Sequence, residues 1–149
     1  MIELIFVIVI LGILAAVAIP KLAATRDDAK IAKGATEVAS IVTDLGAYYT
    51  AQGAFATDVS LMTNVQLTPA TADIATTQIF YIANTTNGNC IEINSSATAA
   101  PDGNFTLSYA AVDTTAVCRG IAEASKKLTG GIAGPGVTHS FGGSNVNWN

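Results

Sequence analysis

The sequence predicts an α+β protein in which one long N-terminal α-helix, hydrophobic in its first half and amphipathic in its second, packs on a small antiparallel β-sheet. Three observations predict it. From Leu4 to Ile19 every residue is apolar; from Lys21 to about Ala51 apolar residues recur at spacings of four and three; and beyond residue 77 short segments alternate apolar with polar residues between turn signals. The chain so divides into a hydrophobic helical segment at 1–20, an amphipathic helix at 21–52, a connecting loop at 53–77 and a sheet-bearing head at 78–149, whose C-terminal region a cysteine pair can close.

At about 1.5 Å per helical residue the run Leu4 to Ile19 covers roughly 24 Å, slightly less than a bilayer core of about 30 Å, and its neighbours complete the span. A helix apolar on all sides must be buried in lipid or among other helices. An ordinary membrane anchor is the plainest reading; a cleaved secretory signal is a weaker one, since no basic region precedes the run and no small-residue cleavage site ends it. Within this segment stands one charge, Glu3. A carboxylate in such a helix costs about 2.5 to 3.5 kcal/mol on insertion scales, so it calls for a partner. Gly12 weakens the helix by about 1 kcal/mol relative to Ala, and Pro20 lacks an amide proton and clashes with the preceding turn, at about 3 kcal/mol.

The string M-I-E-L-I-F-V-I-V-I-L-G-I-L-A-A-V-A-I-P-K-L, with Glu3, Leu4, Gly12, Ala15, Ala16 and Pro20 together, resembles the N-terminal segment of type IV pilins and of the pseudopilins of type II secretion systems. The resemblance covers about the first 25 residues. It implies the pilin fold, and a chain that polymerises with identical subunits in a helical homopolymer. It also implies anchorage in the inner membrane before assembly, and processing by a prepilin peptidase and the pilus assembly machinery. In that family the mature chain begins with Phe and the acid is fifth; here Glu3 is third. About two mature residues and a short basic leader ending in Gly are therefore expected before Met1. Glu3 is expected to neutralise the N-terminal amine of a neighbouring subunit, because opposite charges brought together in an apolar bundle offset a desolvation neither bears alone. Between Gly12 and Pro20 the family's backbone is often extended in the filament, and the same is expected here; in lipid a continuous kinked helix is favoured, since melted backbone needs protein around it.

The second half of the stem carries a stripe of Ile31, Ala35, Val38, Val42, Leu45 and Tyr49 that should grip a sheet, with Gly53 as its stop. Lys33 and Glu37 lie off the stripe at i,i+4. Tyr48, Tyr49 and Phe55 read as packing residues rather than a path for electrons. The segment 53–77 shows no sustained period beyond a short helical stretch near Val59 to Asn64. Gln78 to Ala83, Cys90 to Ile93 and Phe105 to Tyr109 read as three strands of a meander, with turns at Asn87-Gly88 and Pro101-Asp102-Gly103. Ile91, Ile93, Phe105, Leu107 and Tyr109 are the core candidates. Asp113 to Leu128 reads as a turn and a short helix. The Gly- and Asn-rich tail from Thr129 needs Val137, Phe141 and Trp148 as anchors if it is to be ordered.

Cys90 and Cys118 are either a disulfide or two buried thiols; an even count in a membrane-exported chain favours the bridge. Its loop of about 28 residues makes it worth roughly 3.6 kcal/mol on the chain-entropy model. Lys21, Arg26, Lys30 and Lys33 by the positive-inside rule would place the head in the cytoplasm, against the cysteines. The resemblance resolves this, because the family's leader carries stronger basic charge on the cytoplasmic side.

Among 149 residues the net charge is −4 and the basic residues are split between the segment after Pro20 and Arg119 to Lys127, which is a poor footprint for nucleic acid. No nucleic-acid partner is expected. The mean hydropathy of +0.46 comes largely from the first 20 residues, and the Thr-, Ser-, Asn- and Gly-rich remainder suits an extracellular protein. No catalytic constellation, cofactor or metal site is expected: His139 is the only histidine and reads as an exposed tail residue, and Asp102, Gly103 and Asn104 read as a turn rather than a calcium loop. The leading expectation is the major subunit of an extracellular type IV pilus, serving adhesion, motility or aggregation, with Glu3, Gly12 and Pro20 as assembly residues. The alternative is a pseudopilin of a type II secretion system. By resemblance that system's major subunit carries a calcium loop and lacks a disulfide, so Cys90 and Cys118 favour the pilus. A membrane-tethered monomeric binding or enzymatic domain is the third reading; it requires a concave site, and the sequence offers none.

Overall fold

The computed structural model describes residues 2–68, 80–85, 88–94, 103–110 and 115–142. Helix α1 runs unbroken from Ile2 to Gln52, with Pro20 inside it. At 1.5 Å per residue its 51 residues reach about 76 Å. It stops where Gly53 adopts a left-handed φ of 74° and donates its amide to the Tyr49 carbonyl at 2.8 Å, a turn that glycine makes without a Cβ penalty.

A 3-10 turn follows at Val59–Leu61, capped by Asp58. Five strands then form one antiparallel meander in the order β1 (Leu67–Thr68), β2 (Phe80–Thr85), β3 (Gly88–Asn94), β4 (Asn104–Tyr109) and β5 (Val137–Ser140). Between β4 and β5 the chain crosses over through α2 (Ala116–Ala124) and α3 (Lys126–Thr129). The Thr115 hydroxyl caps α2 by accepting from the Cys118 amide, and Gly130 ends α3 at a φ of 82°.

The expected α+β architecture of a long helix on a small antiparallel sheet is thus present, with the sheet larger than the three strands expected. β1 lies in the segment read as a connecting loop, and β5 in the tail. β1 has only two residues, too few to show a period. β5 alternates by burial, but its pairing partner is thirty residues upstream: Phe105 lies opposite His139 and Leu107 opposite Val137. The tail is anchored as the sequence requires by Val137 and Phe141; Trp148, Asn87, Pro101, Asp102 and Asp113 lie outside the described residues.

The core lies where the second half of α1 meets the sheet and α2. Val38, Ile41, Leu45, Ile91, Ile93, Leu107, Ile121 and Phe105 are all buried, each worth about 1.5 to 3 kcal/mol relative to exposure. Of the core candidates only Tyr109 is partly exposed, packed against the cluster from its edge. On α1 the buried set is Gly34, Val38, Ile41, Leu45, Gly46 and Tyr49. The stripe is therefore rotated slightly from the one expected: Ile41 takes the centre, while Ala35 and Val42 are half-buried. α2 presses on α1 so closely that a Cβ at Gly120 would collide with Ile31.

The other face of the sheet is polar. Ser108 donates to Glu92 at 2.7 Å and Thr106 bonds Thr138 at 2.9 Å, each between residues in cross-strand register. An antiparallel sheet with one solvated face satisfies its outward side chains this way.

Candidate assembly surface

Glu3, Gly12 and Pro20 all lie N-terminal to the buried residues of α1, the first of which is Gly34. Residues 2–29 are exposed throughout. The exposure is large for side chains of this kind: Leu4 71%, Phe6 66% and Leu14 61%. Length and composition make this helix able to cross a membrane. Gly12 has no atom within 4 Å of where a Cβ would stand, so its glycine answers no packing need within one chain. The helix also passes through Pro20 without a break. Within one subunit, then, these three residues share a helix and an exposed apolar surface.

The cysteines are brought together. Cys90 on β3 and Cys118 on α2 form a disulfide with Cα atoms 5.0 Å apart, and both residues are fully buried. The bridge ties the crossover helix to the middle strand of the sheet. A second clasp is made by Phe141, one of the tail anchors the sequence called for, though its seat on Gly46 was not foreseen. The Phe141 ring stacks on Phe105 with centroids 5.7 Å apart and covers Gly46 so closely that a Cβ there would lie 2.5 Å from its Cε1. The Phe141 amide donates to the Gly103 carbonyl at 3.0 Å. Its signal in sequence was a glycine in mid-helix facing the core, which only tertiary contact explains.

His139 departs from its expected place as an exposed tail residue. It is half-buried against Phe105, ring centroids 5.3 Å apart, with Nε2 3.0 Å from the Leu128 carbonyl oxygen. Pairing of β5 with β4 carries it inward. Tyr49 is buried and packs on Phe55 with centroids 5.0 Å apart, and Phe55 in turn meets Phe105 edge-on, the geometry of packed aromatic side chains.

Two grooves flank α1 on the head. One is bordered by Lys33, Glu37, Ser40 and Asp44 of the helix and by residues 64–66 of the following loop. There Asp44 accepts from the Thr63 hydroxyl at 2.7 Å, and Lys33 pairs with Glu37 at 3.3 Å as the i,i+4 spacing predicts. Asp58, the cap of the 3-10 turn, is half-buried, and its carboxyl is held below the usual 3.8 by hydrogen bonds from the Ser60 side chain and backbone amide. The other groove, about 550 Å³, lies between α1 and the α2–α3 junction and has a mainly apolar lining. Among the described residues no group of three or more His, Cys, Asp or Glu side chains is placed to hold a metal ion. No family model, no curated protein and no solved structure matches this chain.

Proposed function

We propose that this protein is a structural subunit of an extracellular filament of the type IV pilus kind, with the pilin fold its resemblance implies, and that its work is polymerisation rather than catalysis. One observation carries the proposal: α1 continues far beyond the head, exposed from residue 2 to residue 29 and wholly apolar from Leu4 to Ile19 but for Gly12. So large an apolar surface needs cover. Lipid of the inner membrane supplies it before assembly, and the stems of identical subunits supply it afterwards.

The charge pattern supports the same reading. Glu3 is the one charged residue between Ile2 and Pro20, and it sits in the first turn of α1. In a bundle of stems its carboxylate takes the terminal amine of a neighbour, and a subunit out of axial register leaves both charges buried and unpaired. Gly12 and Pro20 bracket the stretch of stem whose helix extends on assembly. The Cys90–Cys118 disulfide suits a head that works outside the cell. Prepilin peptidase and the pilus machinery are the partners this route requires, and adhesion, motility or aggregation its outcome.

Replacing Glu3 by Ala or Leu tests the proposal. Cells carrying Glu3→Leu should keep the protein in the membrane and bear few or no surface filaments by electron microscopy. Abundant filaments of normal length would refute the role of Glu3 and with it the assembly scheme.

A further inference from the structure

The head itself carries two features of opposite character on opposite flanks of α1. At 3.6 residues per turn, Lys33, Glu37, Ser40 and Asp44 fall along one line of the helix and Ala35 and Ala39 along another, roughly 150° away. The core-facing stripe of Val38, Ile41 and Leu45 lies between them. The 3-10 turn and its loop pack on the first flank, tied there by the bond from Thr63 to Asp44.

From that turn Leu61 stands out with 69% of its surface exposed. In the same turn stands Asp58, whose carbonyl accepts from the Leu61 amide and whose carboxyl is charged at neutral pH. The second flank is the converse. Ala35, Ala39, Ala124 and Leu128 line a groove of about 550 Å³, bordered by Lys127 and by Lys126, which pairs with Glu123 at 3.7 Å while both side chains stay exposed. Ala39 and Ala124 are exposed, so the floor is open to a side chain of another molecule.

We infer that these flanks mate between copies of this chain: Leu61 of one subunit seats in the alanine-floored groove of the next, and its Asp58 meets the Lys126 and Lys127 rim. The occupant is a second copy because the chain carries both halves, an apolar knob with an acid beside it and an apolar hole with a basic rim. Joining two different patches leaves one of each unused on every pair, so the contact propagates in one direction instead of closing a dimer. It rests on the filament reading and adds to it a head-to-head contact that gives the polymer a direction around its axis.

A knob and a groove of this size fall short of the roughly 1,000 Å² that a self-sufficient interface buries. The contact therefore forms where the stems already hold the heads side by side at high effective concentration. Its test uses the full chain in cells. With Leu61→Cys and Ala124→Cys in one chain, mild oxidation should give a ladder of covalent dimers, trimers and longer species in sheared filaments, on the order of tenfold above either single variant. Lys126→Glu with Lys127→Glu on that background should lower the ladder by about tenfold, and adding Asp58→Lys should restore it.

Filaments of the unmodified chain together with no ladder from the cysteine pair overturn this contact and leave the filament reading standing. Dimers from Leu61→Cys alone at the double variant's level overturn it in favour of a two-fold contact, and adducts to a different protein overturn the choice of occupant. An unmodified chain that makes neither filaments nor oligomers overturns both. If the cysteine pair itself stops assembly, the charge swap decides: lysine reversal must reduce filaments and Asp58→Lys must restore them, or the contact is wrong.

Discussion

Removing the disulfide is the sharpest probe of how the head is held. In the double variant Cys90→Ala, Cys118→Ala the crossover helix α2 keeps Val117, Ile121 and Ala122 in the core but loses its covalent tie to β3. The bridge spans 28 residues of sequence. The chain-entropy relation then gives a loss of about 12 cal/mol/K from the unfolded state, or about 3.6 kcal/mol at 25 °C. Both sulfurs belong to fully buried residues, so alanine is the right replacement; serine would add a desolvated hydroxyl at about 1 to 3 kcal/mol. The whole-chain helix signal is dominated by α1, and a head-specific readout is required. Protection of the Ile93 and Leu107 amides against hydrogen exchange, measured through a urea titration of the detergent-held chain, supplies it. With a slope of about 1 to 3 kcal/mol per molar urea the midpoint should fall by roughly 1 to 3.5 M. A fall under about 0.3 M would refute the reasoning, since it would mean that packing of α2 against α1 already restricts the unfolded chain as much as the bridge does.

Two further outcomes follow from the geometry. Alanine is favoured over glycine in a helix interior by about 1 kcal/mol, so Gly12→Ala, in open space, should stabilise α1 in detergent by about that amount. Gly46→Ala should instead destabilise the head by about 1 to 3 kcal/mol, because its Cβ meets the Phe141 ring; an equal gain in helix stability at both sites by thermal melting would contradict the Phe141 clasp. For Asp58 the carboxyl titrates below its usual 3.8 in the folded head, so its cap on the 3-10 turn contributes fully above that value and is lost as pH falls through the lower, folded one. Carbon-13 shifts of the Asp58 carboxyl should show a midpoint below 3.8 that returns toward it in Ser60→Ala; a midpoint at or above 3.8 in the unaltered chain would remove the cap.

The sequence by itself determined the parts whose physics is local. A run of apolar residues from Leu4 to Ile19 can only be helix in lipid or among helices, and it is helix here. The period from Ile31 to Tyr49 marked the face that meets the sheet, and the alternation about Ile91, Ile93, Phe105 and Leu107 marked the strands. Gly53 marked the stop because a left-handed turn suits glycine. A disulfide between Cys90 and Cys118 was the favoured pairing, there being no other cysteine.

Only the tertiary structure decided what depends on residues far apart in the chain. β5 became a strand because β4, thirty residues upstream, offered it hydrogen bonds, and that pairing drew His139 inward from its expected exposure. Ile41 took the centre of the buried face while Ala35 and Val42 stayed half-buried, and the close approach of α2 at Gly120 to Ile31 is a contact no helical period encodes. Leu61 and the alanine groove likewise have no local signature: one is a single leucine in a polar loop, the other four small or apolar residues from three helices. Their relation exists only because folding sets them on the two flanks of one helix, where a surface residue's meaning depends on what lies across the fold from it.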